Sequence, residues 1–383
     1  MATIEQISEL QMLNECAWEC TRQSRWKETT QRYLANMLLN NVELQDELMS
    51  GTYRVRPTTD FELNERGHIR QIEAPSVRDR IVQKSLMKLV LLPRLRPYVI
   101  YDNYASLADR GTSFARRRFE MMLRRHIRKH GTDGYLLTID IRKYFENIDH
   151  DVLKRLIAPR LEGEPQETID LIHYIIDTSS KTGCGLNLGS EAPQIFAVYY
   201  LNPIDQFVKV VKGVSLYGRY MDDIFVISPS KQQLKSLLAE IETQLSLLRL
   251  EINRKKTHIV SLTHGFTWLQ VKYSVMPDGR LLKAMSHAKI VRERRRLRAF
   301  RRQVAQAVMS EQEVWQCYKS WRGSQAKDHN SCQRTLARID LDYTLLFPMP
   351  CGNHPRAKPS RRAIVKSINH TSAQEEITYC LTA

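Results

Sequence analysis

Between Ile4 and Leu48, apolar residues recur at three- and four-residue spacing among charged ones, which predicts two amphipathic helices joined near Arg25. From Gly51 to Ile72 the pattern changes. Pro57 and Gly67 punctuate alternating residues such as Tyr53 and Val55, the signature of a short, twisted antiparallel hairpin. Helical spacing returns over Arg78–Leu92 and is expected to end at Pro93, which has no N–H to donate. A glycine-bearing loop, Arg110-Gly111-Thr112, then leads into a basic helix running to Lys129.

Tyr135-Leu-Leu-Thr-Ile-Asp-Ile is a nearly continuous apolar run, hence a buried strand, and it closes on a carboxylate at Asp140. Asp149–Leu161 is helical again. Leu216–Ser228 reads as two β segments meeting at the adjacent Asp222 and Asp223, followed by an amphipathic helix over Lys231–Leu250. Beyond Gly279 the chain becomes arginine-rich and helical up to Phe347. Pro348, Pro350, Pro355 and Pro359 then mark a basic tail expected to be flexible until bound. No internal repeat is visible.

Composition narrows the class. A chain of 383 residues with 42% hydrophobic content forms substantial cores in two or three units. Its net charge of +16 calls for a polyanionic partner, either nucleic acid or an anionic membrane. No run reaches the roughly 20 apolar residues needed to span a bilayer. The first residues carry Glu5, Glu9 and Glu15 in place of a basic leader, so a soluble cytoplasmic protein with no membrane partner is expected. The seven cysteines are scattered, with no CxxC pair, and read as reduced thiols; Cys16 and Cys20 are assigned to core packing.

Adjacent aspartates alone are common in turns. Here Leu216, Tyr217, Tyr220 and Met221 precede the pair and Ile224–Ile227 follow, so both carboxylates stand among buried β positions and repel each other without a cation. If the strand ending at Asp140 comes alongside, the result is a hard-oxygen site suited to Mg²⁺. Three acids suffice to hold the paired ions, about 3.5–4 Å apart, that phosphoryl transfer uses.

Tyr220-Met221-Asp222-Asp223 matches the YxDD signature of reverse transcriptases, and Asp140-Ile-Arg-Lys-Tyr-Phe145 resembles their first catalytic motif. Arg70-Gln-Ile-Glu-Ala-Pro75-Ser-Val-Arg78-Asp79-Arg80-Ile-Val-Gln83 resembles the fingers motif of bacterial group II intron-like enzymes, whose basic side chains meet the incoming triphosphate. The resemblance extends from about Thr52 to Phe347. It includes Lys256-Thr257, similar to a motif whose lysine approaches the leaving pyrophosphate, and Gly265–Val271, similar to the primer-grip hairpin. Trp321-Arg-Gly resembles a segment common in the bacterial enzymes.

The resemblance implies an α+β fold of right-hand polymerase architecture, with fingers, a ferredoxin-like antiparallel palm and a helical thumb. The corresponding divisions are a helical extension (1–50), fingers (51–134, with part of 150–185), palm (135–278), thumb (279–347) and tail (348–383). It further implies catalysis by Asp140, Asp222 and Asp223, with the Ile141 carbonyl assisting them in holding two Mg²⁺ ions for which Mn²⁺ can substitute. Arg70, Arg80, Phe145, Gly189, Gln194 and Lys256 are the expected nucleotide contacts. Phe145 takes the place of the family's aromatic gate against a 2′-hydroxyl.

The arginines Arg116, Arg117 and Arg124 of the first basic helix, and Arg294, Arg295 and Arg298 of the second, are the expected nucleic-acid contacts. The segment Leu188-Gly-Ser-Glu-Ala-Pro-Gln194 stands where the family has QGxxxSP and departs from it at both ends. Implied partners are an RNA template, expected to be a structured non-coding RNA, with dNTPs and a DNA product; an accessory protein or a second copy of the chain is a further possible partner. Four readings stay open: a bacterial anti-phage reverse transcriptase, the mutagenic enzyme of a diversity-generating retroelement, an intron-encoded enzyme, against which the altered segment at Leu188 weighs, or a catalytically retired RNA-binding scaffold.

Overall fold

The computed structural model describes residues 1–65, 68–180, 182–187, 189, 191–328 and 333–348. The side chains of 64, 65, 68, 70 and 326–328 lie outside the description. The expectations placed on the Arg70 side chain, on Leu188 and on the tail from 349 onward therefore fall outside the described residues. The described residues form two compact units, 1–264 with 277–279, and 265–276 with those of 280–348.

The first unit opens with four helices where two were expected: α1 (Ile4–Ile7), α2 (Leu10–Thr21), α3 (Glu28–Ala35) and α4 (Met37–Met49). The break near Arg25 is present. The extra breaks are local departures of the backbone from helical geometry, at Ser8 and Glu9 between α1 and α2 and at Asn36 between α3 and α4. Ile7, Leu13, Ala17 and Leu44 enter the same core as Ile81 and Val82, so these helices are integral to the unit.

An antiparallel hairpin follows, β1 (Thr59–Glu65) and β2 (His68–Ala74), later in the chain than the residues 51–72 expected. Helix α5 (Val77–Leu86) continues through a π-helical turn, Met87–Leu91, into α6 (Leu92–Leu95). It thus runs past Pro93 instead of ending there. In the widened turn the Leu92 N–H reaches back five residues to the Met87 carbonyl, which accommodates a proline that regular α-geometry would reject.

The chain then passes through α7 (Thr112–His130), β3 (Tyr135–Ile139), α8 (His150–Leu161), α9 (Gln166–Thr178), α10 (Glu191–Tyr200) and α11 (Asn202–Gln206). The hairpin β4 (Tyr217–Tyr220) and β5 (Asp223–Ser228), α12 (Lys231–Leu247) and β6 (His258–Ser261) complete this unit. These strands make one antiparallel sheet in the order β4-β5-β3-β6.

Both faces of that sheet are covered, which is why β3 and β5 read as apolar runs and not as alternating strands. Leu137, Ile139, Ile224 and Val226 join the core that contains Leu234, Ile241 and Leu245 of α12. On the other face Phe225 packs edge-on against Phe119 of α7, with ring centroids 4.8 Å apart. Each such fully buried side chain contributes about 1.5–3 kcal/mol. The outer edge of β4 is closed by the loop at 102–104, where the Arg219 N–H donates to the Asp102 carbonyl and the Tyr104 N–H to the Arg219 carbonyl, both at 2.9 Å.

The second unit contains a three-stranded antiparallel sheet, β7 (Phe266–Trp268), β8 (Val271–Val275) and β9 (Leu281–Met285), and the helices α13 (His287–Ala305), α14 (Glu311–Asp328) and α15 (Gln333–Leu346). Its helical core is aromatic: Tyr318 stacks on Tyr343 at 4.3 Å, among Leu297, Val314, Leu336 and Ile339. Among the described residues no helix is long and apolar enough to cross a membrane.

Candidate active site

The site follows from one register. Ile139 of β3 pairs with Ile224 of β5, so the next residues outward, Asp140 and Asp223, lie side by side on one face of the sheet. Asp222 sits in the β4–β5 turn. Met221, which precedes it, adopts φ +53, a left-handed conformation uncommon for a residue with a side chain. The backbone at Asp140 is clamped from the far side: the Asn253 N–H donates to the Asp140 carbonyl at 2.7 Å, and the Arg142 N–H to the Glu251 carbonyl at 2.9 Å. That arrangement leaves the Ile141 carbonyl outside this pair of bonds.

Electrostatics shows how closely the carboxylates interact. Burial, reinforced by the charges of Asp222 and Asp140, pushes the Asp223 carboxyl up from 3.8 to about 7, with Lys256 opposing. Lys256 Nζ lies 3.2 Å from Asp140 Oδ1 on an otherwise exposed side chain, so an ammonium group stands where these acids attract a cation. Among the described residues no three acidic, histidine or cysteine side chains are gathered tightly enough to ligate one ion as they stand. The donor chemistry nevertheless fits a divalent cation: three hard-oxygen acids, one of them pushed toward neutrality by burial and by the charges of the other two.

The aromatic pair after Asp140 divides its roles. Tyr144 is buried, donates to the Ala197 carbonyl, and has its phenol pushed well up by burial, with Asp222 contributing. Phe145 is only half-buried, set edge-on to Tyr144 at 5.5 Å and packed against the core, so part of its ring stays accessible. Arg116 of α7 is near enough to Tyr220 for its charge to lower that phenol against the larger effect of burial, which raises it.

Other candidate residues lie elsewhere. Arg80 points at the end of α2, with Nη1 3.5 Å from the Cys20 carbonyl and a buried Nε that has no partner among the described residues. The Gln194 Oε1 accepts from the Ser106 hydroxyl at 3.1 Å. Gly189 does permit a close approach, but to the chain itself: a Cβ there would sit 2.4 Å from Pro75 Cδ and 3.2 Å from Ala74 Cα. Arg117 and Arg124 are exposed on α7 and, with Arg128 and Met121, line a shallow surface pocket. In the second unit Arg295 and Arg298 are exposed on α13, whereas Arg294 donates to Asp342 at 2.7 Å.

Sequence reasoning missed a buried ion pair directly behind the turn. Arg219 and Asp205 are both fully buried, joined at 2.5 Å, and the Tyr217 hydroxyl donates to the same carboxylate at 2.6 Å. Burial disfavours a charged guanidinium, yet the Asp205 charge and hydrogen bonds outweigh it and hold Arg219 protonated. Removing one partner of such a pair costs about 3–5 kcal/mol. The available signal was an arginine inside an apolar strand, one residue before Tyr220, but nothing in the sequence named its partner.

With the sheet and its acidic turn described, comparison with known proteins gives the family. Residues 59–273, more than half of the chain, match the reverse transcriptase (RNA-dependent DNA polymerase) family, so the chain belongs to that family and carries an RNA-directed DNA polymerase domain. Protein YkfC of Escherichia coli (strain K12) is 22% identical over 265 residues, 59% of this chain and 69% of that protein. Among solved structures, apo telomerase from Candida tropicalis truncated from its C-terminal domain is similar at TM-score 0.46 and 13% identity, over 64% of this chain and 60% of that one. Telomerase from Candida albicans in complex with a TWJ fragment of telomeric RNA is similar at TM-score 0.47 and 12% identity, over 82% of this chain and 66% of that one. The chain thus spans about 60% of the truncated telomerase it matches.

Proposed function

We propose that this protein synthesises DNA on an RNA template, with Asp140, Asp222 and Asp223 holding two Mg²⁺ ions and the Ile141 carbonyl assisting. The observation that carries the reading is the β3–β5 register, which sets Asp140 beside Asp223 and makes the cluster demand a cation. Bound there, the ions would activate a primer 3′-hydroxyl and stabilise the leaving oxygen. The residues do the rest. Phe145 sits under the sugar and excludes a 2′-hydroxyl, and Lys256 moves from Asp140 toward the departing pyrophosphate. In this reading Arg70 and Arg80 would meet the triphosphate, Arg80 by leaving the Cys20 carbonyl, and Gln194 would meet the nucleotide near Gly189 by leaving Ser106.

In this reading residues 51–134, with part of 150–185, are the fingers, the sheet of 135–278 is a ferredoxin-like palm, and 279–347 is the thumb. The exposed arginines of α7 and α13 carry nucleic acid, since phosphate contacts supply most of the sequence-independent affinity. The template is a dedicated structured RNA in a bacterial anti-phage system. The Leu188–Gln194 segment supports this, because its Pro193-Gln194 ending departs from the intron-encoded and the mutagenic enzymes alike.

Primer extension on RNA with dNTPs and Mg²⁺, comparing the natural chain with Asp222→Asn, tests the reading. Extension by the natural chain and its loss in the variant are expected, by about 10³-fold or more. RNA binding without any incorporation would favour a retired scaffold. A variable repeat pair beside the coding sequence would favour the mutagenic retroelement.

A further inference from the structure

The Arg219 side chain reaches three separate groups from inside the sheet. Nε and Nη2 fork onto Asp205 of α11 at 2.9 and 2.5 Å, Nη2 also donates to the Val198 carbonyl of α10 at 2.9 Å, and Nη1 donates to the Met221 carbonyl at 3.0 Å. Its own N–H and C=O are tied to the loop at 102–104. The Met221 carbonyl belongs to the peptide that leads into Asp222. Holding that peptide plane determines the direction in which the next Cα, and with it the Asp222 carboxylate, departs.

Met221 needs such support, because its left-handed φ of +53 persists only where the surroundings impose it. We propose that Arg219, neutralised by Asp205, is a positioning residue that sets where Asp222 and Asp223 stand and thereby the affinity of the site for divalent cations. The inference rests on the polymerase reading above and adds to it a control on metal binding located outside the ligand set. Geometry favours this role over a generic stabilising pair: one of the guanidinium's bonds goes to the turn itself, while the rest fix it to α10 and α11. A lysine could keep the charge near Asp205 but could not also fork to Met221 and Val198.

The test uses the full chain and Arg219→Lys, with folding followed by circular dichroism and Mn²⁺ binding by the electron paramagnetic resonance of the free ion. Mg²⁺ titration of primer extension runs in parallel. A folded Arg219→Lys with Mn²⁺ half-saturation raised about tenfold, and with extension requiring correspondingly more Mg²⁺, is expected. Unchanged Mn²⁺ affinity in the folded variant overturns the proposal, whatever happens to activity.

Should Arg219→Lys not fold, Tyr217→Phe decides. It removes only the hydroxyl bond to Asp205 and is expected to weaken Mn²⁺ binding about two- to threefold; no change overturns the proposal. Binding requires no turnover, so the two readings fail separately. A natural chain that binds Mn²⁺ but extends no primer sinks the polymerase reading and leaves the positioning role intact, whereas one that binds no Mn²⁺ sinks both.

Discussion

Replacing Asp223 with asparagine is expected to stabilise the metal-free protein at neutral and alkaline pH while abolishing nucleotide incorporation. The Asp223 carboxyl is raised from 3.8 to about 7 by burial and by its acidic neighbours. Between those values the unfolded chain has released this proton and the folded chain retains it. Stability is therefore fully present below about pH 4, falls as pH rises, and the loss is complete once pH passes about 7. At about 1.4 kcal/mol per pH unit the ceiling is on the order of 4 kcal/mol. Asp223 is half-buried, and solvent screening reduces the expected difference to about 1–2 kcal/mol.

Urea unfolding in chelator at pH 5 and pH 8 measures this directly. The natural chain should lose stability over that interval, and Asp223→Asn should lose less. Adding Mg²⁺ at pH 8 should then restore the natural chain and leave the variant nearly unchanged, since a ligand at 100 times its Kd stabilises by about 2.7 kcal/mol. Parallel pH profiles for the two proteins would refute the reasoning, because the folded site would then not retain the Asp223 proton as its burial beside Asp222 and Asp140 requires.

Phe145→Ala should admit ribonucleotides, improving their incorporation relative to deoxyribonucleotides by roughly tenfold to a hundredfold in single-nucleotide extension; an unchanged ratio would remove Phe145 from the sugar site. Gly189→Ala introduces a methyl 2.4 Å from Pro75 Cδ and close to the 73–74 backbone, and should cost about 1–3 kcal/mol in thermal unfolding. Arg124→Ala should lower the slope of log affinity for RNA against log salt by about 1 without altering sequence preference; an unaltered slope would mean that this face of α7 touches no phosphate.

Much of this protein was determined by local pattern. The basic helix α7 follows from its run of basic residues behind the glycine-bearing loop, and the strands β3 and β5 from their unbroken apolar runs, because element type depends on neighbours a few positions away. The acids at the strand ends were legible for the same reason. Even local reading failed where geometry changed within an element, as at the π turn that carries a helix past Pro93.

What joins distant segments was decided only by the tertiary structure. The pairing of β3 with β5 places Asp140 beside Asp223, Lys256 then comes to lie on Asp140, and Arg219 finds Asp205 on a helix outside the sheet. The motif resemblance had already grouped Asp140 with Asp222 and Asp223, but the contacts of Lys256 with Asp140 and of Arg219 with Asp205 have no signal of their own in the sequence. An arginine in an apolar strand announces that some acid must neutralise it, since a lone buried charge is too costly to survive. Which acid does so depends on how the sheet and helices pack.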